Sequence, residues 1–350
     1  MEIGIRVLQV MGILIGVVLC YLSVVTFFPG FNVPGQPLRA PKTKTPTAQD
    51  TALPATREDV VFEVNGTTVR AWLYLPENRP VPVPCIVMGH GTGGTREMLL
   101  ERYAVRYREA GYAVLAFDYR FFGESDGEPR QLLWIPCQLE DYTATIRYAR
   151  TRKEIDPAKI ALWGTSLSGG HVIVTAAREP HIACVVAQCP GVDGRASAEM
   201  GLKRLGLGYV FRMVVHGQRD FFRSWVGLSP HKIPIVGQPG SLALMNTEEA
   251  YALFTRDAPK GYVNEVCARI LLRVDKYRPV KHARNVRCPV LLQVCEKDNL
   301  IPKRAVEETA KELGTYALVK SYPIGHFDIY AGEHLERSLS DQLAFLKKHL

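Results

Sequence analysis

Residues 163–170 read Trp163-Gly164-Thr165-Ser166-Leu167-Ser168-Gly169-Gly170, and their reading decides the fold. A short apolar run, 160–163, precedes them, and a helical pattern follows them through Arg178. A serine at such a junction sits on a sharp strand-to-helix turn, with its hydroxyl exposed and the helix N-terminus behind it. Small neighbours are needed because strand and helix approach closely at the bend. The usual form of the signature is G-x-S-x-G. Here Ser168 takes the last position, and Gly169 and Gly170 follow.

Short apolar runs alternate with helical ones on both sides of this turn. Residues 60–64 and 68–75 read as a hairpin about Asn65-Gly66. Residues 85–88, 112–117, 160–163, 182–188, 290–295 and 317–322 read as strands, and 96–110 and 138–150 as helices, the first stopped by Gly111. Nearly continuous apolar strands alternating with helices predict a parallel sheet covered on both faces. Between Pro190 and Cys288 the rhythm breaks for about ninety-five residues, where a crossover needs far fewer. That interval is helical in pattern, with apolar patches at 205–215 and 221–228, and is predicted to be a cap.

The chemistry begins with Gly89-His90-Gly91-Thr92-Gly93-Gly94, which follows the strand 85–88. Backbone N–H groups on such a loop, together with the N–H after a nucleophile, can form an oxyanion hole. The donors here would be Thr92 and Leu167, with His90 structural. The loop lacks the Gly-Lys-Ser/Thr ending of a phosphate-binding loop. A serine hydroxyl needs a base and an orienting acid to become a nucleophile. Asp298 follows the strand 290–295, and His326 follows the strand that ends at Tyr322. Both lie past the C-terminal ends of strands, where sites form in open α/β sheets. Glu296 and Asp193 are the alternative acids.

These segments resemble the α/β-hydrolase superfamily in the elbow 164–170, the loop 90–94 and the pair Asp298 and His326. Asp118-Tyr119-Arg120-Phe121-Phe122-Gly123-Glu124-Ser125-Asp126-Gly127 is similar to its D-x-R-G-x-G-x-S stretch, with a phenylalanine in place of the first glycine. The resemblance covers roughly residues 58–350. It implies an α/β-hydrolase fold, a mostly parallel twisted sheet with helices on both faces and a helical cap inserted at about 193–283. It further implies a Ser166 nucleophile, an Asp298 acid, a His326 base, and oxyanion donors at Thr92 and Leu167. Serine rather than aspartate at 166 argues against the dehalogenase and epoxide hydrolase branches, and serine rather than cysteine departs from dienelactone hydrolases. No tyrosine stands at position 167, a departure from the prolyl-peptidase pattern. The implied activity is cleavage of a small-molecule carboxylic ester through an acyl-enzyme. The apolar stretches 205–211 and 221–225 either line a pocket for an acyl chain or pack the cap onto the body, and an apolar cap with a membrane tether fits an apolar or lipid-like ester. No metal or organic cofactor is needed. The alternatives are an acyltransferase or thioesterase on the same triad, and a non-catalytic membrane-tethered binding protein.

The whole chain has 350 residues, 47% hydrophobic and 22% charged, which excludes a disordered chain or a small disulfide scaffold. Residues 7–28 are almost wholly apolar; as a helix of about 33 Å they would cross a bilayer core. Residues 1–28 therefore read as a transmembrane anchor or a signal. The run exceeds the roughly 7–15 residues of a signal core, and no A-x-A site follows Phe28, which favours the anchor. Residues 29–57, rich in Pro, Thr and Ala, read as a tether. Arg39, Lys42 and Lys44 lean towards a cytoplasmic catalytic domain, as do eight cysteines of which several fall in buried strands. None of the eight forms a CxxC pair, which argues against zinc. Asn65-Gly66-Thr67 is a glycosylation sequon, but the hairpin turn is the stronger reading. Of the net charge of +8, residues 1–55 hold +2, and the rest is dispersed without a basic run, which argues against a nucleic-acid partner.

Overall fold

The computed structural model of the chain describes residues 2–33, 38, 57–77 and 82–350, so most of the expected tether lies outside the described residues. At Asn65-Gly66 the chain reverses within two residues. Both have positive φ, 50° and 75°, a conformation that asparagine and glycine tolerate. The turn joins β1 (Arg57–Val64) to β2 (Thr67–Tyr74) as an antiparallel hairpin. The other strands of the main sheet are β3 (Val83–Gly89), β4 (Ala113–Phe117), β5 (Ile155–Thr165), β6 (Cys184–Gln188), β9 (Val290–Cys295) and β10 (Ala317–Tyr322). Their order is β1-β2-β4-β3-β5-β6-β9-β10. β2 meets β4 antiparallel, and every pair from β4 to β10 is parallel. This is the α/β-hydrolase fold that the sequence leads one to expect.

Alternation along the strands gives the sheet two cores. Ala161 and Trp163 of β5 pack on one face, with Tyr103 and Tyr107 of α2 (Leu100–Glu109) and Leu339 and Phe345 of α9 (Gly332–His349). Ile160 and Leu162 pack on the other, with Tyr142 and Ile146 of α3 (Ile135–Thr151), Val172 of α4 (Leu167–Ala176) and Val306 of α8 (Lys303–Leu313). Both faces are dry, so parallel strands read as continuous apolar runs.

The helix expected over 96–110 starts only at Leu100. Arg96 is drawn towards Asp118: its backbone N–H donates to Oδ1 at 2.7 Å, and its guanidinium lies 3.2 Å from Oδ2. Leu99 then takes φ 73°, which no α-helix accommodates. The Asp118–Asp126 stretch is a structural turn. A Cβ on Gly123 would lie 2.4 Å from the Asp118 carboxyl, and Ser125 Oγ donates to the Asp118 carbonyl at 2.7 Å.

Between β6 and β9 the chain leaves the sheet. It forms α5 (Gly194–Trp225), broken at Gly206, the short pair β7 (Lys232–Ile233) and β8 (Val266–Cys267), α6 (Glu248–Asp257) and α7 (Val280–Ala283). Tyr262 of this interval donates from its hydroxyl to the Gly93 carbonyl at 2.6 Å, so the interval rests on the loop after β3. α1 (Glu2–Phe27) projects from the sheet domain, its apolar side chains exposed along most of its length, and Ile5–Phe27 is long and apolar enough to cross a membrane.

Candidate active site

β5 ends at Thr165 and α4 begins at Leu167, so Ser166 makes the turn alone. Its φ of 54° and ψ of −120° are strained for an L-residue, and three backbone hydrogen bonds hold them. Ser166 N–H donates to Gln188 O at 3.0 Å, and Ser166 O accepts from Gly169 (3.0 Å) and Gly191 (2.7 Å). The glycines are there because the backbones touch. A Cβ on Gly164 would lie 2.1 Å from Ser168 O, one on Gly169 2.7 Å from Pro190 Cα, and one on Gly170 2.3 Å from Gly191 O. Ser168, at the usual glycine position, has a bonding role: its hydroxyl donates to the His90 carbonyl and accepts from Tyr119 OH at 2.5 Å.

The loop after β3 lies against Ser166. A Cβ on Gly91 would be 3.0 Å from Ser166 Cβ, and Thr92 borders the same cavity. Leu167 opens α4, where a backbone N–H has no helical partner. Among the described residues neither the Thr92 nor the Leu167 N–H is engaged by a protein acceptor. His90 is buried, and its Nδ1 faces the Gly91 carbonyl at 2.9 Å. Burial pushes its imidazole down to about 4, so it is neutral near pH 7.

The structure brings Ser166, His326 and Asp298 together. His326 Nε2 is 3.1 Å from Ser166 Oγ, and His326 Nδ1 is 2.5 Å from Asp298 Oδ2. The turn after β9 fixes the carboxylate, whose Oδ1 accepts from the Leu300 and Ile301 N–H groups at 2.8 Å each. Burial by itself lowers the His326 pKa, but Asp298 outweighs it and holds the imidazole up, at about 9. The other two acids are engaged elsewhere. Asp193 caps α5 and pairs with Arg278 at 2.7 Å, and Glu296 pairs with Lys303 at 3.2 Å.

A cleft opens beside Ser166 and His326. Its walls are apolar: Met98, Leu99 and Tyr103 come from the start of α2, and Met245, Leu253 and Phe254 from the interval that contains α6. The patches 205–211 and 221–225, for which lining such a pocket was one of two readings, do not border it. Leu207, Phe211 and Trp225 are exposed instead, because α5 turns these side chains outward. Sequence reasoning also missed Tyr330, whose hydroxyl meets Thr165 Oγ1 at 2.5 Å and Cys189 Sγ at 3.3 Å. Its only signal was its place four residues after His326.

A profile of the X-Pro dipeptidyl-peptidase (S15) family matches residues 65–224. Quorum-quenching protein AidA of Acinetobacter baumannii is 41% identical over 297 residues, which are 83% of this chain and 94% of that protein. Polyketide transferase ATR5 of Stachybotrys chlorohalonatus is 28% identical over 84% of this chain and 98% of its own. Among solved structures, hypothetical protein PA2218 of Pseudomonas aeruginosa shares the fold with a TM-score of 0.73 at 22% identity, covering 90% of this chain and all of that one.

Proposed function

The chain belongs to the α/β-hydrolase superfamily, in one family with the relative from Acinetobacter baumannii, and from that footing we propose that it is a serine hydrolase that cleaves apolar carboxylic esters through an acyl-enzyme. The observation that carries this reading is the chain of contacts from Ser166 through His326 to Asp298. With Nδ1–H donated to Asp298, the lone pair of Nε2 faces the Ser166 hydroxyl. His326 takes the Ser166 proton as Oγ attacks the ester carbonyl. The Thr92 and Leu167 N–H groups receive the oxyanion. The alkoxide leaves with the proton from His326, and a water activated by the same imidazole releases the acid. The apolar cavity beside Ser166 supports an uncharged acyl portion.

The test is a fluorophosphonate probe with a panel of p-nitrophenyl esters. The protein should be labelled at Ser166 and hydrolyse the esters. Ser166→Ala should lose both, with turnover down by at least about 10³-fold and folding unchanged. Undiminished hydrolysis by that variant overturns the reading.

A second reading is acyl transfer, supported by the likeness to a polyketide transferase. The same acyl-enzyme would then be resolved by an alcohol or amine, and product analysis with and without such an acceptor separates the two. For the N-terminus, the reading is a retained single-pass anchor, supported by the length and apolarity of Ile5–Phe27. The basic flank at Arg39, Lys42 and Lys44 favours a catalytic domain on the cytoplasmic side.

A further inference from the structure

Arg219, on α5, is only 2% exposed, yet it pairs with no carboxylate among the described residues. Its guanidinium donates to the carbonyls of Val25 (2.8 Å) and Thr26 (3.2 Å) and to Asn32 Oδ1 (3.1 Å). Arg223, one turn further on, adds a bond to the Thr26 carbonyl at 3.1 Å. Val25 and Thr26 form the last turn of α1, where carbonyls lack helical partners and the helix dipole is negative. A buried guanidinium without partners is strongly unfavourable, so α5 is built around the end of α1. Tyr21 donates to Gln218, and Phe31 packs edge-on against His216 with centroids 6.5 Å apart. The chain is thus fixed to α5 on both sides of Phe28.

Next in the chain to these contacts, on both helices, stand large apolar side chains that the protein leaves uncovered. Phe27 is 61% exposed, Phe28 55%, Trp225 71% and Val226 58%. Trp225 follows Arg223 by two residues and packs only against its helix neighbours Phe221 (4.8 Å) and Phe222 (6.1 Å) among the aromatic rings. Tryptophan and phenylalanine beside arginines, at the end of an apolar helix, match the headgroup layer of a bilayer, where an apolar ring and a polar edge are both satisfied.

We propose that this junction is a bilayer-docking surface. α1 leaves the hydrocarbon at Val25 and Thr26, Arg219 and Arg223 cap it there, and Phe27, Phe28, Trp225 and Val226 lie in the headgroup layer of a phospholipid membrane. The cap is thereby held against the membrane by a helix retained in the mature chain. This rests on reading α1 as a membrane span.

The test uses the full-length protein in phosphatidylcholine–phosphatidylglycerol nanodiscs, with lipids either ordinary or brominated near the headgroup. The chain has four tryptophans, of which Trp72 and Trp163 are buried in the sheet domain. Brominated lipid should quench part of the emission, and Trp225→Phe should abolish that quenching while esterase activity stays unchanged. Equal emission in both lipids, or quenching that survives in Trp225→Phe, overturns the docking. So does a blue-shifted but unquenched Trp225, which would place a second copy of the chain on the patch. Arg219→Leu should raise proteolysis at Pro29–Phe31 at least tenfold; unchanged proteolysis overturns the capping. Release from the discs in an alkaline wash would overturn the span reading and the docking with it, whereas retention without quenching overturns the docking alone.

Discussion

The hydroxyl of Ser168 donates a hydrogen bond to the carbonyl oxygen of His90, tying the start of α4 to the loop after β3. The two segments that would share the oxyanion are therefore held in register by a side chain at a position where the common signature has glycine. Ser168→Ala leaves the His90 carbonyl and the Tyr119 hydroxyl each short of a buried partner. The stability loss should be on the order of 2 kcal/mol. kcat should fall several-fold with KM nearly unchanged, because the loosened loop matters most when the oxyanion forms. Thermal unfolding and steady-state kinetics check both parts, and an unchanged kcat would refute the positioning role.

The pair of Asp298 and His326 sets a pH dependence. On the proposed mechanism the general base is the neutral imidazole, and Asp298 holds the His326 pKa at about 9 against burial. kcat/KM should therefore rise with pH and level off only above about 9. Stability runs the other way. A histidine whose folded pKa is raised contributes stability that is full below its unfolded value, about 6.5, and is lost as pH rises through about 9. Asp298→Asn removes the largest raising cause and leaves the burial, so the profile should shift to lower pH, with kcat down on the order of 10⁴-fold. A rate that falls from pH 7 to 9 in the unaltered protein would contradict this assignment.

Asp193 is engaged in structure. It accepts from the Arg195 and Ala196 N–H groups as the cap of α5 and pairs with Arg278. Asp193→Ala should cost about 1–2 kcal/mol through the lost cap and leave kcat unchanged. A large loss of kcat in a folded Asp193→Ala protein would reopen the choice of acid.

Much of this site was legible because its parts fall where the topology requires them. Ser166, Asp298 and His326 each follow the C-terminal end of a strand, and strand ends show in the pattern of apolar runs. The choice between Glu296 and Asp298 was not legible. In the structure a turn whose Leu300 and Ile301 N–H groups hold the Asp298 carboxylate sets it against His326, a feature of backbone direction. The cavity wall was hidden for a different reason. Met98 and Leu99 meet Met245, Leu253 and Phe254 across about 150 residues of chain, and such non-local packing leaves no periodic trace. An apolar residue facing a cavity and one facing outward are written with the same letters, so the sequence left the role of 205–211 and 221–225 open. Nothing in the sequence marks Arg219 as buried against α1.

The cavity predicts how rate depends on acyl length. Each methylene moved from water into an apolar wall is worth about 0.8 kcal/mol, or about fourfold in kcat/KM if it binds in the transition state. A series of p-nitrophenyl esters should therefore climb by about that factor per carbon until the cleft beside Ser166 is full, and then flatten. Leu99 is the position to move that break point. It borders the cavity, is only half-buried, and holds φ 73°. Leu99→Phe should bring the break to shorter chains. Leu99→Gly should carry it to longer ones and relieve backbone strain on the order of 1 kcal/mol. Opposite shifts in the two variants separate a lining role from a general loss of packing, which would lower all chain lengths together. The same break point in all three proteins would show that the acyl group binds elsewhere.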